Sequence, residues 1–204
     1  MNKVIIATQN RNKVREFDDI LTRHGISAIA RDDAGLPKDE VEETGTTMEE
    51  NSYIKAKAIR DIIDNDPTFA EYKDCIVIAD DTGLMVDALD GAPGVYSARY
   101  AGEGCTYADN CVKMLKEMDG VPYEKRTAYF QTVITMIYPD GSVRKAIGEC
   151  HGHIGEECRG EEGFGYDPLF IPDGYDTTFA EVGLELKNKV SHRARALEEM
   201  ERII

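Results

Sequence analysis

Asp80 and Asp81 follow directly on the apolar run Ile76-Val77-Ile78-Ala79 and precede Thr82-Gly83-Leu84. The run, rich in β-branched residues, reads as a buried strand that is expected to end where the carboxylates begin. Carboxylates at the tip of a buried strand have to be paired, hydrogen-bonded or bound to a cation, and adjacent hard oxygen donors suit a divalent ion such as Mg²⁺. The same dipeptide would also open an ordinary turn, with Gly83 supplying backbone freedom. A second acidic stretch, with Asp39, Glu40, Glu42 and Glu43, reads either as a solvated face or as the source of one more metal ligand, and spacing does not choose among its members.

Three other stretches carry polar chemistry. Thr8-Gln9-Asn10-Arg11-Asn12-Lys13 lies between a short apolar run and a helical pattern, where free amides, the helix dipole and the Lys13 ammonium would hold a phosphate. An ordinary polar loop with an Asn cap is the simpler reading of these residues taken alone. Gly163-Phe164-Gly165-Tyr166-Asp167-Pro168 would let Phe164 or Tyr166 stack on a planar ligand while Asp167 bonds its edge, although a glycine-rich turn into a strand has the same letters. Near the end, Ser191 suits an N-cap and places His192 and Arg193 in the first turn of a helix, a poor place for cations unless they meet an anionic or keto-bearing partner. His151 and His153 share a strand face but lack a third nearby ligand, and they are given no catalytic role.

These groups need elements to position them. Val4-Ile5-Ile6-Ala7 predicts a strand, and Val14, Phe17, Ile20 and Leu21 at helical spacing predict a helix after it. A strand over Ser27-Ala28-Ile29-Ala30 follows. Thr47 and Glu50 form a capping-box pattern for a helix with Ile54, Ala58 and Ile62 on its apolar face. From Met85 to Gly102 the glycines and Pro93 predict a long ordered loop, with Arg99 available to an anion or to an ordinary salt bridge. A helix over Thr106 to Met118 is expected to bury Ala108, Val112 and Leu115. Thr127 to Tyr138 and Ser142 to Ile154, joined at Pro139-Asp140-Gly141, predict a long hairpin, and Leu169 to Pro172 a further strand. The last helix should bury Ala194, Leu197, Met200 and Ile204.

Composition narrows the function classes. With 39 acidic against 24 basic residues the formal net charge is −15, which repels polyanions and argues against nucleic acid as a partner. A phosphate-bearing ligand then needs a local basic cluster. No apolar run approaches the roughly 18 residues of a membrane span, and the N-terminal apolar stretch is too short for a secretory signal, so a cytoplasmic location is expected. Cys75, Cys105, Cys111, Cys150 and Cys158 are odd in number and lack Cys-x-x-Cys spacing, as expected of reduced thiols.

Taken together, Ala7 to Lys13, Ala79 to Leu84, Gly91 to Tyr100, Gly163 to Pro168 and Ser191-His192-Arg193 resemble the Ham1-type noncanonical purine nucleoside triphosphate pyrophosphatases, the inosine/xanthosine triphosphatases. The likeness runs in family order from residue 3 to about residue 200. It implies a single α/β domain over residues 1–204, an elongated central mixed sheet flanked by helices in two lobes with the active site in a cleft, and a homodimer. It also implies Mg²⁺-dependent hydrolysis of ITP, dITP and XTP to the monophosphate and pyrophosphate, clearing these nucleotides from the pool. Carried over by position, Thr8, Gln9, Asn10, Arg11, Asn12 and Lys13 match the triphosphate loop. Glu43 matches a metal-binding acid, and Asp81 the metal ligand that is also proton acceptor. Thr82 stands where many relatives carry Ser. Phe164, Gly165, Tyr166, Asp167, Lys187, His192 and Arg193 match base and phosphate contacts. Gln9 stands where the family's loop commonly carries Gly, and its side chain would narrow that loop.

Overall fold

The short apolar runs become the strands of a mixed sheet in the computed structural model, which describes residues 3–23, 25–39 and 41–203. Glu40 and Ile204 lie outside the described residues. β1 (Lys3–Ile6) runs parallel both to β2 (Ser27–Ala30) and to β3 (Ile76–Val86), with Val4 facing Ala28 on one side and Ile76 on the other. The two-residue β4 (Pro93–Gly94) pairs antiparallel with β3. β5 (Thr127–Ile137) and β6 (Val143–Ile154) form the expected hairpin, closed by hydrogen bonds between Tyr138 and Ser142 and from Gly141 to Tyr138. β7 (Phe170–Pro172) pairs antiparallel with β6, giving the order β2-β1-β3-β5-β6-β7 among the described residues. Among the described residues five α-helices accompany it: α1 (Arg11–Arg23), α2 (Met48–Asn65), α3 (Tyr107–Glu117), α4 (Phe179–Val190) and α5 (His192–Ile203). None of them is long and apolar enough to cross a membrane.

β3 corrects the expectation that its strand stops at the acidic pair. It runs for 11 residues and carries Asp80 and Asp81 in its middle, both buried. The reason is pairing: each carboxylate meets a lysine, so the chain need not turn out to water. The segment after Val86 is a series of short turns fixed by Ser97, whose Oγ donates to the Gly94 carbonyl at 2.6 Å and accepts the Leu84 N–H at 2.9 Å.

The chain divides into two compact units, one made of residues up to Asp81, Thr132–Gly148 and from Ala196, the other of Thr82–Gln131 and Glu149–Arg195. In the first unit Ile5, Ala56, Ile59, Ile63, Val77 and Ile137 form the core. The predicted capping box holds the start of α2, with Glu50 N–H on Thr47 Oγ1 and Thr47 N–H on the Glu50 carboxylate. Its buried face is not the one expected, however. Met48, Ser52, Ala56, Ile59 and Ile63 are buried, while Ile54, Ala58 and Ile62 are only partly so. Buried Ser52 meets Thr135 Oγ1 at 2.8 Å and buried Arg60 donates to the Cys75 carbonyl at 2.9 Å, so polar residues share this face once bonded.

In the second unit Leu84, Val86, Met114, Phe130, Ile154, Leu169, Phe170 and Phe179 form the core. Helix α3 starts at its Thr106–Asp109 capping box and buries Asn110, Cys111 and Met114 rather than Ala108 and Val112. Asn110 is buried because its amide is spoken for: its oxygen accepts the Ala101 N–H at 2.7 Å and its nitrogen donates to the Ala98 carbonyl at 3.1 Å. Residues 179–190, for which the sequence pattern gave no helix, form α4, with Gly183 at φ 74° interrupting the helical geometry. In α5, Ala194 N–H bonds Ser191 Oγ at 3.2 Å, and Ala194, Leu197 and Met200 are buried, as the cap and spacing predict.

Arg126 knits this unit together. The guanidinium is buried and donates to the carbonyls of Ile154, Met118, Val121 and Gly155 at 2.8 to 3.3 Å. Arg126→Leu is expected to cost about 3 kcal/mol or more in urea denaturation, since several buried carbonyls lose their donor. Arg202→Gln, at an exposed pair, should stay within about 0.5 kcal/mol. Equal small effects from both would mean that water replaces the guanidinium.

Candidate functional site

The first cluster lies in the first unit, around Asp80 and Asp81. Asn10 caps α1, its Oδ1 accepting the N–H groups of Asn12 at 3.0 Å and Lys13 at 3.4 Å, while Thr8 Oγ1 accepts the Asn10 N–H at 3.2 Å. This is the Asn-cap form of the loop, and it takes up amides that a phosphate would otherwise use. The Gln9 side chain donates to the Lys38 carbonyl at 2.7 Å, while Arg11 and Asn12 are exposed. In the first turn of α1, Lys13 Nζ meets Asp80 Oδ2 at 3.0 Å.

Asp81 is held from α2. Lys55 Nζ lies 2.7 Å from Asp81 Oδ1 and 3.2 Å from Glu43 Oε1, so one ammonium gathers both carboxylates expected to bind metal. The loop bearing Glu43 is pinned by buried Asn51, one turn before Lys55, whose Oδ1 accepts the Gly45 N–H at 2.8 Å. Any side chain at Gly45 would collide with Asn51 and Glu50, which keeps this approach open only to glycine. Burial pulls the Lys55 ammonium down, but Asp81, Asp80 and Glu43 outweigh it and hold it above its usual range. Burial likewise raises the proton affinity of Asp81, and Lys55 and Lys13 oppose that rise without cancelling it. Asp81 is therefore a stronger base than a surface carboxylate.

Lys55 is the residue that sequence reasoning missed. Its signal was present, a lysine on α2 beside the buried Asn51 and Ser52, but apolar counting set the face elsewhere. As for a metal, the donors gathered here are carboxylate oxygens already converging on one cation, which fits Mg²⁺. Among the described residues no group of three or more His, Cys, Asp and Glu forms a cage. Mg²⁺ commonly takes one or two carboxylates and completes its shell with water and substrate phosphate.

The second cluster lies in the second unit. Asp167 Oδ2 accepts the Phe164 N–H at 2.8 Å and the Lys187 ammonium at 2.7 Å, and both charged side chains are buried. Lys187 Nζ also stands 4.5 Å from the centre of the Phe164 ring. Gly163 and Gly165, at φ 79° and 65°, turn the loop so that one carboxylate reaches both partners. Tyr166 does not present its ring to solvent: it is 3% exposed within the core, and its hydroxyl donates to the Ser97 carbonyl at 2.9 Å. Of the two rings considered for stacking, Phe164 is the more accessible.

His192 and Arg193 stand at the start of α5, as expected, but both are buried. The His192 ring stacks on Phe130 with centroids 4.6 Å apart. Arg193 Nη2 donates to Thr82 Oγ1 at 3.2 Å, and its guanidinium carbon lies 6.0 Å from the centre of the Phe164 ring. The cluster thus joins Thr82, Phe164, Asp167, Lys187 and Arg193 and backs them with Tyr166 and His192. His151 and His153 take no part. Each stacks on its own tyrosine, Tyr129 or Tyr123, and faces its own carboxylate, Glu149 or Asp173.

The sequence model of the Ham1 family matches residues 4–203. A protein of Caldanaerobacter subterraneus subsp. tengcongensis named dITP/XTP pyrophosphatase is 47% identical over 197 residues, 97% of this chain and 93% of that protein. One of the same name from Bacillus subtilis is 43% identical over 204 residues, 100% of this chain and 98% of that protein. Among solved structures, the Ham1 protein of Staphylococcus aureus superposes with a TM-score of 0.82 at 36% identity, covering 99% of this chain and 97% of its own. A HAM1 protein from Coxiella burnetii gives 0.82 at 34% identity, covering 100% and 98%. Matched in sequence and in fold along nearly its whole length, the chain belongs to the Ham1 family.

Proposed function

We propose that this protein is a nucleoside triphosphate pyrophosphatase that hydrolyses noncanonical purine nucleotides, ITP, dITP and XTP, to the monophosphate and pyrophosphate. The observation that carries the reading is the lysine–carboxylate set around the buried Asp80 and Asp81, Lys13–Asp80 and Lys55–Asp81–Glu43, in a chain whose relatives bear the name dITP/XTP pyrophosphatase. Water attacks the α-phosphorus, and the bond from that phosphorus to the bridging oxygen of the leaving pyrophosphate breaks. Asp81 accepts the proton of the attacking water, a role suited to a carboxylate whose proton affinity burial has raised. Lys13 and Lys55 offset the charge that develops on the phosphate oxygens. Asp81 and Glu43 would hold Mg²⁺, which when bound supplies further neutralisation of the triphosphate.

The second cluster is read as the base site. Phe164 offers a ring for stacking, and Lys187, committed to Asp167 and Phe164, holds that ring in place. His192 and Arg193 are donors suited to a 6-keto oxygen. The 6-amino group of adenine would leave such buried donors unpaired. The same reading carries a cytoplasmic homodimer that removes deaminated purines from the nucleotide pool, with no nucleic acid or membrane as partner.

Release of pyrophosphate from ITP, dITP and XTP, measured against ATP and dGTP with and without Mg²⁺, should be strong for the first three and need the metal. Binding of ITP without turnover would make the chain a nucleotide sensor instead. Asp81→Asn should keep its circular dichroism spectrum and lose about 10²–10⁴-fold in kcat, and full activity would remove Asp81 from the chemistry. Arg193→Ala should raise KM for ITP more than for ATP. Equal effects would take Arg193 out of base recognition.

A further inference from the structure

The base site as read above has one ring, Phe164, because Tyr166 is committed to the core. A second ring stands beside it. Tyr107, in the first turn of α3, has its centroid 6.0 Å from that of Phe164, with 43° between the planes. Tyr107 is 44% exposed, among the more accessible large hydrophobic side chains.

Two features fix the backbone beneath that ring. The Thr106–Asp109 capping box sets the start of α3, Thr106 Oγ1 accepting the Asp109 N–H at 3.2 Å and the Asp109 carboxylate accepting the Thr106 N–H at 2.8 Å. One turn further on the same face, Cys111 Sγ donates to the Gly165 carbonyl at 3.4 Å, tying α3 to the loop that bears Phe164. Burial first, with the Cys158 thiol and Asp167 adding to it, pushes the Cys111 thiol up to about 12, so the donor keeps its proton. The helix and the loop that bear the two rings are thus tied to each other.

We propose that Tyr107 is the second wall of the base site, closing on a purine from the side opposite Phe164. This rests on the function proposed above and adds a contact to it. A planar base stacked on both faces needs about 3.5 Å on each side, roughly 7 Å between the enclosing rings. The rings stand 6.0 Å apart and tilted, so a swing of Tyr107 that opens the gap by about 1 Å and brings the planes parallel admits the base. Lys187 Nζ, 4.5 Å from the centre of the Phe164 ring, supports that ring with a cation. The partner chemistry is a flat, electron-poor bicycle such as hypoxanthine or xanthine, with no demand on its substituents. Tyr107 therefore adds affinity for the base, while the buried donors select among bases.

The test compares the unaltered protein with Tyr107→Ala, Tyr107→Leu and Tyr107→Phe, by steady-state hydrolysis of ITP and by calorimetric binding of the product IMP. Loss of an aromatic stack should raise KM and weaken IMP about fivefold in the Ala and Leu variants, with kcat within about twofold. The Phe variant, which keeps the ring, should restore both. Unchanged KM and IMP affinity in folded Ala or Leu variants would overturn the assignment, whatever their melting temperatures, because a merely structural role moves stability and not the base contact. A failure of Phe to rescue would overturn it as well. If the unaltered protein neither hydrolyses ITP nor binds IMP, the proposed function falls and this wall with it. Turnover by the unaltered protein with no response at Tyr107 removes the wall alone.

Discussion

Two carboxylates inside a buried strand have to be compensated, and much of the first unit is arranged to do so. β3 carries Asp80 and Asp81 through its middle only because α1 delivers Lys13 to one and α2 delivers Lys55 to the other. Removing either lysine would leave a charge in surroundings that do not solvate it. The helix starts are accordingly well defined, α1 by Asn10 and α2 by the Thr47–Glu50 box, since a helix that slips by one residue would take its lysine off target. The same burial that makes the pair costly also gives Asp81 its raised proton affinity. Structure and proposed chemistry share one physical cause.

The second unit solves a similar problem with one aspartate. Asp167 orders its loop by accepting the Phe164 N–H, fixes the Lys187 side chain from α4, and through its carbonyl receives the Ala180 N–H at 3.2 Å. A loop with two left-handed glycines would otherwise sample many shapes, at a cost in entropy on binding. Held this way it offers Phe164 from a rigid base. Buried Arg193 and His192 are set into the same packing, with Phe130 under the imidazole.

Much of this was legible in the sequence, but unevenly. The strands, the hairpin, the capping box of α2 and the Ser191 cap followed from local pattern, because they depend on neighbouring residues alone. The buried faces of α2 and α3 did not. Asn51, Ser52, Arg60 and Asn110 occupy interior positions as polar residues whose partners lie outside their own helix, and counting apolar residues therefore rotates both helices away from their true inner face. Lys55 was overlooked for the same reason. α4 was hidden by Gly183, whose positive φ breaks the helical geometry that its neighbours resume.

What the sequence by itself determined is the family and the roster of groups: the polar loop at residues 8–13, the carboxylates Glu43 and Asp81, the Phe164 to Asp167 loop, and the His192–Arg193 helix start. Only the tertiary structure decided how those groups are used. It placed the acidic pair within a strand instead of at its tip, gave Asp81 and Glu43 a common lysine, sent the Tyr166 ring into the core, and stood Tyr107 beside Phe164. The reason is that residue type fixes what a side chain can bond, whereas burial and partner depend on which distant segments packing brings to it. Lys55 and Asp81, 26 positions apart in the chain and 2.7 Å apart in the fold, embody that difference.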